Sequence, residues 1–447
     1  MQRFAWLVIA CAACEHLGGA DAAPAVAPAS PAARAVNVDF DGDGLADLAF
    51  PALDTPAQIC TTSHEGRSCY TPPDAPLREI VVVYLGRDRG QRSQQIVISS
   101  HRYDEDRSHA GYVQRVSAVG DLDGDGRSEL ALAWACGSTE QLLLLHGETG
   151  GLATAPYQRI DLPRRSDGVS WYKLDARGAG DVDGDRVVDA VVGDAILRGT
   201  GKGMLAPPVH LPLDSAHIDL RPVGDVDGDR VADLIATSYG WYDSAPAPCL
   251  IRGGSSLRDT LASGQPPTTT TLAVDPIIAV ADLDGDGIRE LIGARGGQVT
   301  TYRWRRGVPA RAATVDVGLA ARGGLHQIAA RGGDLVAVTS AFVTEIICNT
   351  RCFAPAGFAL AVARGNAIVE RRTEYQTPGG VYLGPDPEPS VLSPGDFDGD
   401  GIADLVVRVG SRVVIHQSQR GDVQIDAAVA TSPRAITLAL DEVRLDP

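Results

Sequence analysis

Carboxylates recur at alternate positions in DLDGDGRSE, residues 121–129, and the same nine-residue pattern returns five more times. The copies are DFDGDGLAD at 39–47, DVDGDRVVD at 181–189, DVDGDRVAD at 225–233, DLDGDGIRE at 282–290 and DFDGDGIAD at 396–404. Positions 1, 3, 5 and 9 are acidic in every copy, and so much like charge in a short loop disfavours a compact turn unless a cation neutralises it. Hard oxygen donors at alternate positions suit Ca²⁺, with a backbone carbonyl at position 7, and glycine at positions 4 and 6 lets the chain wrap the ion. The side-chain ligands expected are Asp39, Asp41, Asp43 and Asp47; Asp121, Asp123, Asp125 and Glu129; Asp181, Asp183, Asp185 and Asp189; Asp225, Asp227, Asp229 and Asp233; Asp282, Asp284, Asp286 and Glu290; and Asp396, Asp398, Asp400 and Asp404. Leu45, Arg127, Val187, Val231, Ile288 and Ile402 occupy the carbonyl position, giving up to six calcium sites.

The net charge of −17 follows from these loops, which hold 24 of the 57 acidic residues; the rest of the chain is net basic. The acidity is therefore local ligation rather than a field for steering a basic macromolecule, and no nucleic-acid partner is expected.

The elements that must present the loops are short. Apolar runs rich in β-branched and small residues follow each copy, as at 48–50, 130–134, 190–192, 234–237 and 405–409, and read as strands. A second run closed by glycine follows in most units (80–86, 141–147, 249–253), or without it at 412–416, and an outer strand such as 95–99 completes a four-stranded antiparallel unit with the acidic loop as a hairpin turn. Successive motifs start 82, 60, 44, 57 and 114 residues apart, and the last interval is twice the one before it. Residues 328–338 (IAARGGDLVAV) then read as a unit whose acidic loop has been deleted. Seven sheets of this size predict an all-β fold, a seven-bladed β-propeller of four-stranded antiparallel blades with calcium-binding hairpin loops, spanning 36–447. A solenoid suits shorter, more uniform periods.

Residues 1–22 combine one basic residue, a ten-residue apolar run and small residues, which is a signal peptide too short to span a bilayer. Its exit is open between cleavage near Ala22 and lipidation of Cys11 or Cys14. Residues 23–35 are an Ala/Pro linker suited to a tether. The chain is expected to be exported, secreted or held as an outer-surface or periplasmic lipoprotein, with no other membrane contact. In that compartment Cys60 with Cys69, and Cys348 with Cys352, have spacings that favour local disulfides; the pairing of Cys136 and Cys249 is undetermined.

The units resemble FG-GAP (VCBS) repeats, the blades of integrin α-subunit propellers, most fully in VGDLDGDGRSELALAW at 119–134 followed by LLLLHGETGGL at 142–152. Arg186 and Arg230 depart from the pattern by replacing the glycine at position 6, where a positive φ is wanted. Glu129 and Glu290 replace the final Asp and lengthen its reach.

In a four-stranded blade the long connections emerge together at the end opposite the acidic loops. Tyr70, Tyr103, Tyr112, Trp171, Tyr172, Tyr239, Trp241 and Tyr242 fall in them, side chains suited to recognising protein or sugar or to packing loop on loop. The resemblance implies that this is the ligand face, as in the integrin propellers. The chain has no HExxH, GxSxG or P-loop. The expected function is a monomeric adhesion or binding module for an extracellular protein or carbohydrate and not an enzyme; a polysaccharide-degrading lyase or hydrolase and a purely structural envelope protein are the alternatives.

Overall fold

A computed structural model of the chain describes residues 38–424, apart from connecting segments of which the longest are 103–111, 163–175, 238–246, 317–324 and 377–389. The expected signal peptide and linker, residues 1–35, lie outside the described residues, as do Tyr103, Trp171, Tyr172, Tyr239, Trp241, Tyr242, Cys348, Ile402, Asp282, Asp284 and Asp286.

Strands adjacent in the chain pair antiparallel and form sheets one after another. Sheet 1 contains Leu48–Asp54, Pro76–Tyr84 and Gln94–Arg102. Sheet 2 is Tyr112–Gly120, Glu129–Cys136, Thr139–Leu145 and Gln158–Leu162. Sheet 3 is Ala176–Gly180, Asp189–Val192, Ala195–Leu197 and Val209–His210. Sheet 4 is Asp219–Gly224, Asp233–Thr237, Cys249–Ile251 and Thr269–Thr271. Sheet 5 is Ile277–Ala281, Glu290–Arg295, Gln298–Arg305 and Val308–Asp316. Sheet 6 is Leu325–Arg331, Asp334–Ile346, Cys352–Arg364 and Ala367–Gln376. Sheet 7 is Ser390–Gly395, Asp404–Val409, Arg412–Gln417 and Gly421–Gln424. The protein is thus all-β and built of antiparallel, mostly four-stranded sheets, the arrangement of a propeller-like fold.

The core lies between sheets. Leu143 and Leu145 pack toward sheet 1 with Leu48 and Phe50, while Leu142 and Leu144 pack toward sheet 3 with Ala190 and Leu197. Successive side chains of a strand point to opposite faces, so a sheet covered on both faces reads as an unbroken apolar run. That is why LLLL occurs at 142–145. The same sandwiching joins sheets 3 and 4 through Val191, Ile196, Leu234 and Ile251, sheets 4 and 5 through Ile235, Leu250 and Leu291, and sheets 5 and 6 through Ile292, Val299 and Ala363. Phe397 and Val406 of sheet 7 belong to the same cluster as Val38 and Phe40, beside sheet 1. The Ala46 N–H donates to the Asp396 carbonyl at 2.7 Å, so the last sheet meets the first.

Three features differ from the sequence expectations. The segment 51–76, expected as a connection, holds a hairpin, Ile59–Ser63 with Gly66–Tyr70. Residues 341–357, also expected as a connection, are mostly extensions of two strands of sheet 6. Both segments pair as antiparallel strands, although their sequences alternate too weakly to signal one. Consequently Tyr70 ends a strand and Tyr112 opens one, instead of lying in loops. A helix, Ser255–Ser263, was also not foreseen; it buries Leu257 and Leu261 against sheets 3 and 4 and ends on Gly264 at φ 67°. At the unit expected to lack an acidic loop, Arg331 pairs directly with Asp334 in sheet 6.

Candidate metal centre

In sheets 2 to 5 and 7 the acidic loop lies between the first two strands, and in sheet 1 it leads into Leu48–Asp54; a bulge precedes it in sheets 2, 3 and 4. The register shifts between Ala118 and Gly120, between Gly178 and Gly180, and between Pro222 and Gly224. Gly120, Gly180 and Gly224 have φ of 79°, 73° and 80° there, which explains the small residue ahead of the first Asp.

Within a loop the backbone is folded around the position-1 carboxylate. Asp39 accepts from the N–H of Gly42 at 2.6 Å and of Gly44 at 2.8 Å. Asp121 accepts from Gly124 and Gly126, Asp181 from Gly184 and Arg186, and Asp225 from Gly228 and Arg230. Position 5 accepts from the N–H of position 7 at 2.9 Å in the loops of sheets 1 to 4. Position 6 has a left-handed backbone whatever its side chain: Gly44 and Gly126 have φ of 86° and 87°, and Arg186 and Arg230 have 70° and 72°.

Position 9 is the most buried ligand position. Asp47, Glu129, Asp189 and Asp404 have no exposed surface. One oxygen accepts from the N–H of position 2, as in Asp47 with Phe40 at 2.7 Å and Asp404 with Phe397 at 2.8 Å. The other accepts from the glycine that closes the next strand along the chain in the sheet, which is Pro76–Tyr84 in sheet 1 and the third strand in sheets 3 and 4: Asp47 from Gly86, Asp189 from Gly199 and Asp233 from Gly253. The glycine is required by packing, because a Cβ on Gly86 would stand 2.7 Å from the Ala46 carbonyl oxygen. Position 9 therefore pins three segments together as well as facing the loop.

Burial and crowding act on these carboxyls. Burial, opposed by the backbone hydrogen bonds and reinforced by Asp41 and Asp39, pushes Asp47 up to about 8. Burial lifts Glu129 to about 8, Asp189 to about 7 and Asp233 to about 6, with the acidic neighbours in each loop adding to the rise. Carboxylate oxygens of Asp39, Asp41 and Asp43 lie within 4.8 Å of one another, as do those of Asp121, Asp123 and Asp125 and those of Asp225, Asp227 and Asp229. Glu129 Oε1 is buried without a hydrogen-bond partner. An all-oxygen, strongly anionic donor set of this size fits a hard divalent cation. In the loop of sheet 5, three of the expected ligands are outside the described residues, and Glu290 is buried and accepts from the Leu283 N–H.

Three site neighbours carry no signal within the acidic motif itself. His146 Nδ1 lies 3.6 Å from both Asp123 Oδ2 and Glu129 Oε1, and its ring stacks on Tyr157 at 3.6 Å. Arg198 and Arg252 reach the loops of sheets 3 and 4. All three immediately precede a closing glycine, which is the signal that could have placed them. Of the cysteines, Cys60 and Cys69 are direct partners in the 59–70 hairpin, which suits the expected bridge, and Cys352 opens a strand of sheet 6.

Residues 389–424, which contain sheet 7, match the FG-GAP repeat family. The chain is 26% identical over 161 residues to integrin alpha-5 of Xenopus laevis, covering 35% of this chain but only 14% of that protein. Among solved structures it is similar to a lectin of Agrocybe aegerita that recognises non-reducing terminal N-acetylglucosamine, at TM-score 0.36 and 13% identity over 77% of this chain and 85% of that one. It is also similar to a PQQ-bound aldose sugar dehydrogenase of Streptomyces coelicolor, at TM-score 0.32 and 14% identity over 71% and 98% of the two chains. Among the described residues no helix is long and apolar enough to cross a membrane.

Proposed function

We propose that this FG-GAP repeat protein, similar to integrin α-subunits, is an exported seven-bladed β-propeller that binds an extracellular protein or glycan, with Ca²⁺ stabilising its acidic loops. The difference between the two ends of the sheets carries this reading. One end is made largely of the repeated acidic turns, whose carboxylates are committed to holding backbone. The other end receives the connections from second to third strand and from sheet to sheet, including the 59–70 hairpin and the extended strands around 341–357. A rigid scaffold with variable segments gathered at one end is how binding surfaces are generally built.

In this role the chain's own groups do the work at the loops. A bound cation would supply positive charge among the carboxylates of positions 1, 3 and 5. The position-9 carboxylate holds the loop to the next strand of the sheet, and the left-handed backbone at position 6 turns the chain. Ligand contact falls to the opposite end, where Trp171 and Trp241 are the aromatic anchors we assign from the sequence.

A glycan array and capture of cell-surface proteins with the full chain test this. Wild type should bind a defined glycan or protein, and Trp171→Ala and Trp241→Ala should weaken that binding by about tenfold or more. No capture by wild type would count against a binding module, and release of products from acidic or neutral glycans would assign a lyase or hydrolase instead.

A further inference from the structure

The residue before the closing glycine that faces each acidic loop differs between sheets: Leu85 in sheet 1, His146 in sheet 2, Arg198 in sheet 3 and Arg252 in sheet 4. Its place is fixed, because the N–H of the glycine that follows is bonded to the position-9 carboxylate in sheets 1, 3 and 4. In sheets 2 to 4 the side chain so placed faces position 3 of the acidic loop.

In sheet 3 the result is a guanidinium where a loop-bound cation would be needed. Arg198 Nε lies 2.6 Å from Oδ2 of Asp183, which has no exposed surface, and Arg198 Nη2 lies 3.6 Å from Asp185 Oδ2. One planar cation thus spans positions 3 and 5. Arg258, from the helix Ser255–Ser263, approaches the other Asp183 oxygen at 3.5 Å. In sheet 4, Arg252 pairs directly with Asp227. A turn of sheet 5 covers that pair, since a Cβ on Gly307 would be 3.3 Å from the Asp227 Cβ and 3.2 Å from Arg252 Nη2. These are also the two loops with Arg at position 6.

We infer that the loops of sheets 3 and 4 carry a built-in counter-ion, Arg198 and Arg252, which takes the place of a bound divalent cation there. The carboxylates of these two loops are grouped as closely as those of sheets 1 and 2, but a tethered positive charge already occupies the position-3 carboxylate, and with it in place the donor set does not fit a free ion. Calcium dependence then belongs to a subset of the blades. Sheets 3 and 4 remain closed without it, and the covalent tether makes their counter-ion insensitive to dilution or chelation.

The inference rests on the cation reading of the loops, and the experiment separates the two. Calcium bound per full-length chain is measured by equilibrium dialysis, and melting temperature is measured in EDTA and in excess calcium. Asp41→Asn should lower the count by one, while Asp183→Asn and Asp227→Asn should leave it unchanged. Arg198→Leu and Arg252→Leu should each add one bound calcium and lower the melting temperature in EDTA, with calcium restoring it; Arg198→Lys should behave as wild type. Loss of one calcium in Asp183→Asn or Asp227→Asn would overturn the inference. So would leucine variants that gain no calcium. If Asp41→Asn changes nothing while the leucine variants still gain a site, the cation reading of sheet 1 fails and the arginine assignment stands. Should Arg198→Leu not fold, Arg252→Leu decides, since Arg252 is half exposed.

Discussion

At the scale of single residues, the protein places charge inside and pairs it. Arg177 of sheet 3 donates to Asp219 of sheet 4 at 2.8 Å, and Arg221 donates to the other Asp219 oxygen at 3.0 Å, all three side chains being buried. Such a group adds little compared with an apolar core, but removing the anion that the two arginines share takes away the carboxylate charge between two buried guanidinium groups. Asp219→Ala is expected to cost about 3–5 kcal/mol in urea denaturation, independent of calcium. The acidic loops follow a related logic, with position 1 accepting loop N–H groups and position 9 tying the loop to the next strand. None of this was legible from composition. The carboxylates could be named as ligands, but that position 9 also fastens the backbone depends on the closing glycine arriving from ten to thirty-nine residues away.

At the scale of the loop and its hairpin, backbone conformation is set by position and not by residue type. Arg186 and Arg230 adopt the left-handed backbone that glycine takes in the loops of sheets 1 and 2. A left-handed non-glycine residue costs about 1–2 kcal/mol, and glycine returns part of that gain through the greater freedom of its unfolded chain. Arg186→Gly should therefore stabilise by about 0.5–1 kcal/mol, read as a shift of the denaturation midpoint with an unchanged slope. Strands buried on both faces, such as 142–145, declared themselves as apolar runs. The 59–70 hairpin and the long strands of sheet 6 did not, since their pairing is satisfied by backbone hydrogen bonds and leaves little sequence signal.

For the whole molecule, calcium and protons should compete. Asp47, Glu129, Asp189 and Asp233 hold their protons more tightly in the folded chain, with values near 8, 8, 7 and 6 against ordinary values near 4. Protons then favour folding: the contribution is complete below about pH 4 and is lost as pH rises through about 6 to 8. In EDTA the melting temperature should fall over that range, and calcium should flatten the part of the fall that comes from Asp47 and Glu129, each site at ten times its dissociation constant adding about 1.4 kcal/mol. A melting temperature that is flat with pH in EDTA, or unmoved by calcium at pH 8, would count against cation-held loops. The effect reaches beyond one loop because neighbouring loops are bonded to one another: the Ser128 N–H to the Asp39 carbonyl, the Ala232 N–H to the Asp181 carbonyl, and the Ala46 N–H to the Asp396 carbonyl.

The sequence by itself determined the repeat, its hairpin strands and the acidic loops, because each of these is written within about fifteen consecutive residues as a period of charge, glycine and apolar side chains. It also pointed to a unit that lacks a loop, through the doubled interval and the IAARGGDLVAV segment at 328–338. Only the tertiary structure decided what stands opposite each loop, because Leu85, His146, Arg198 and Arg252 are brought there by strand pairing across separations that vary from unit to unit. Four loops that look alike in the chain thereby acquire different neighbours, and the neighbour sets the charge that each loop still needs.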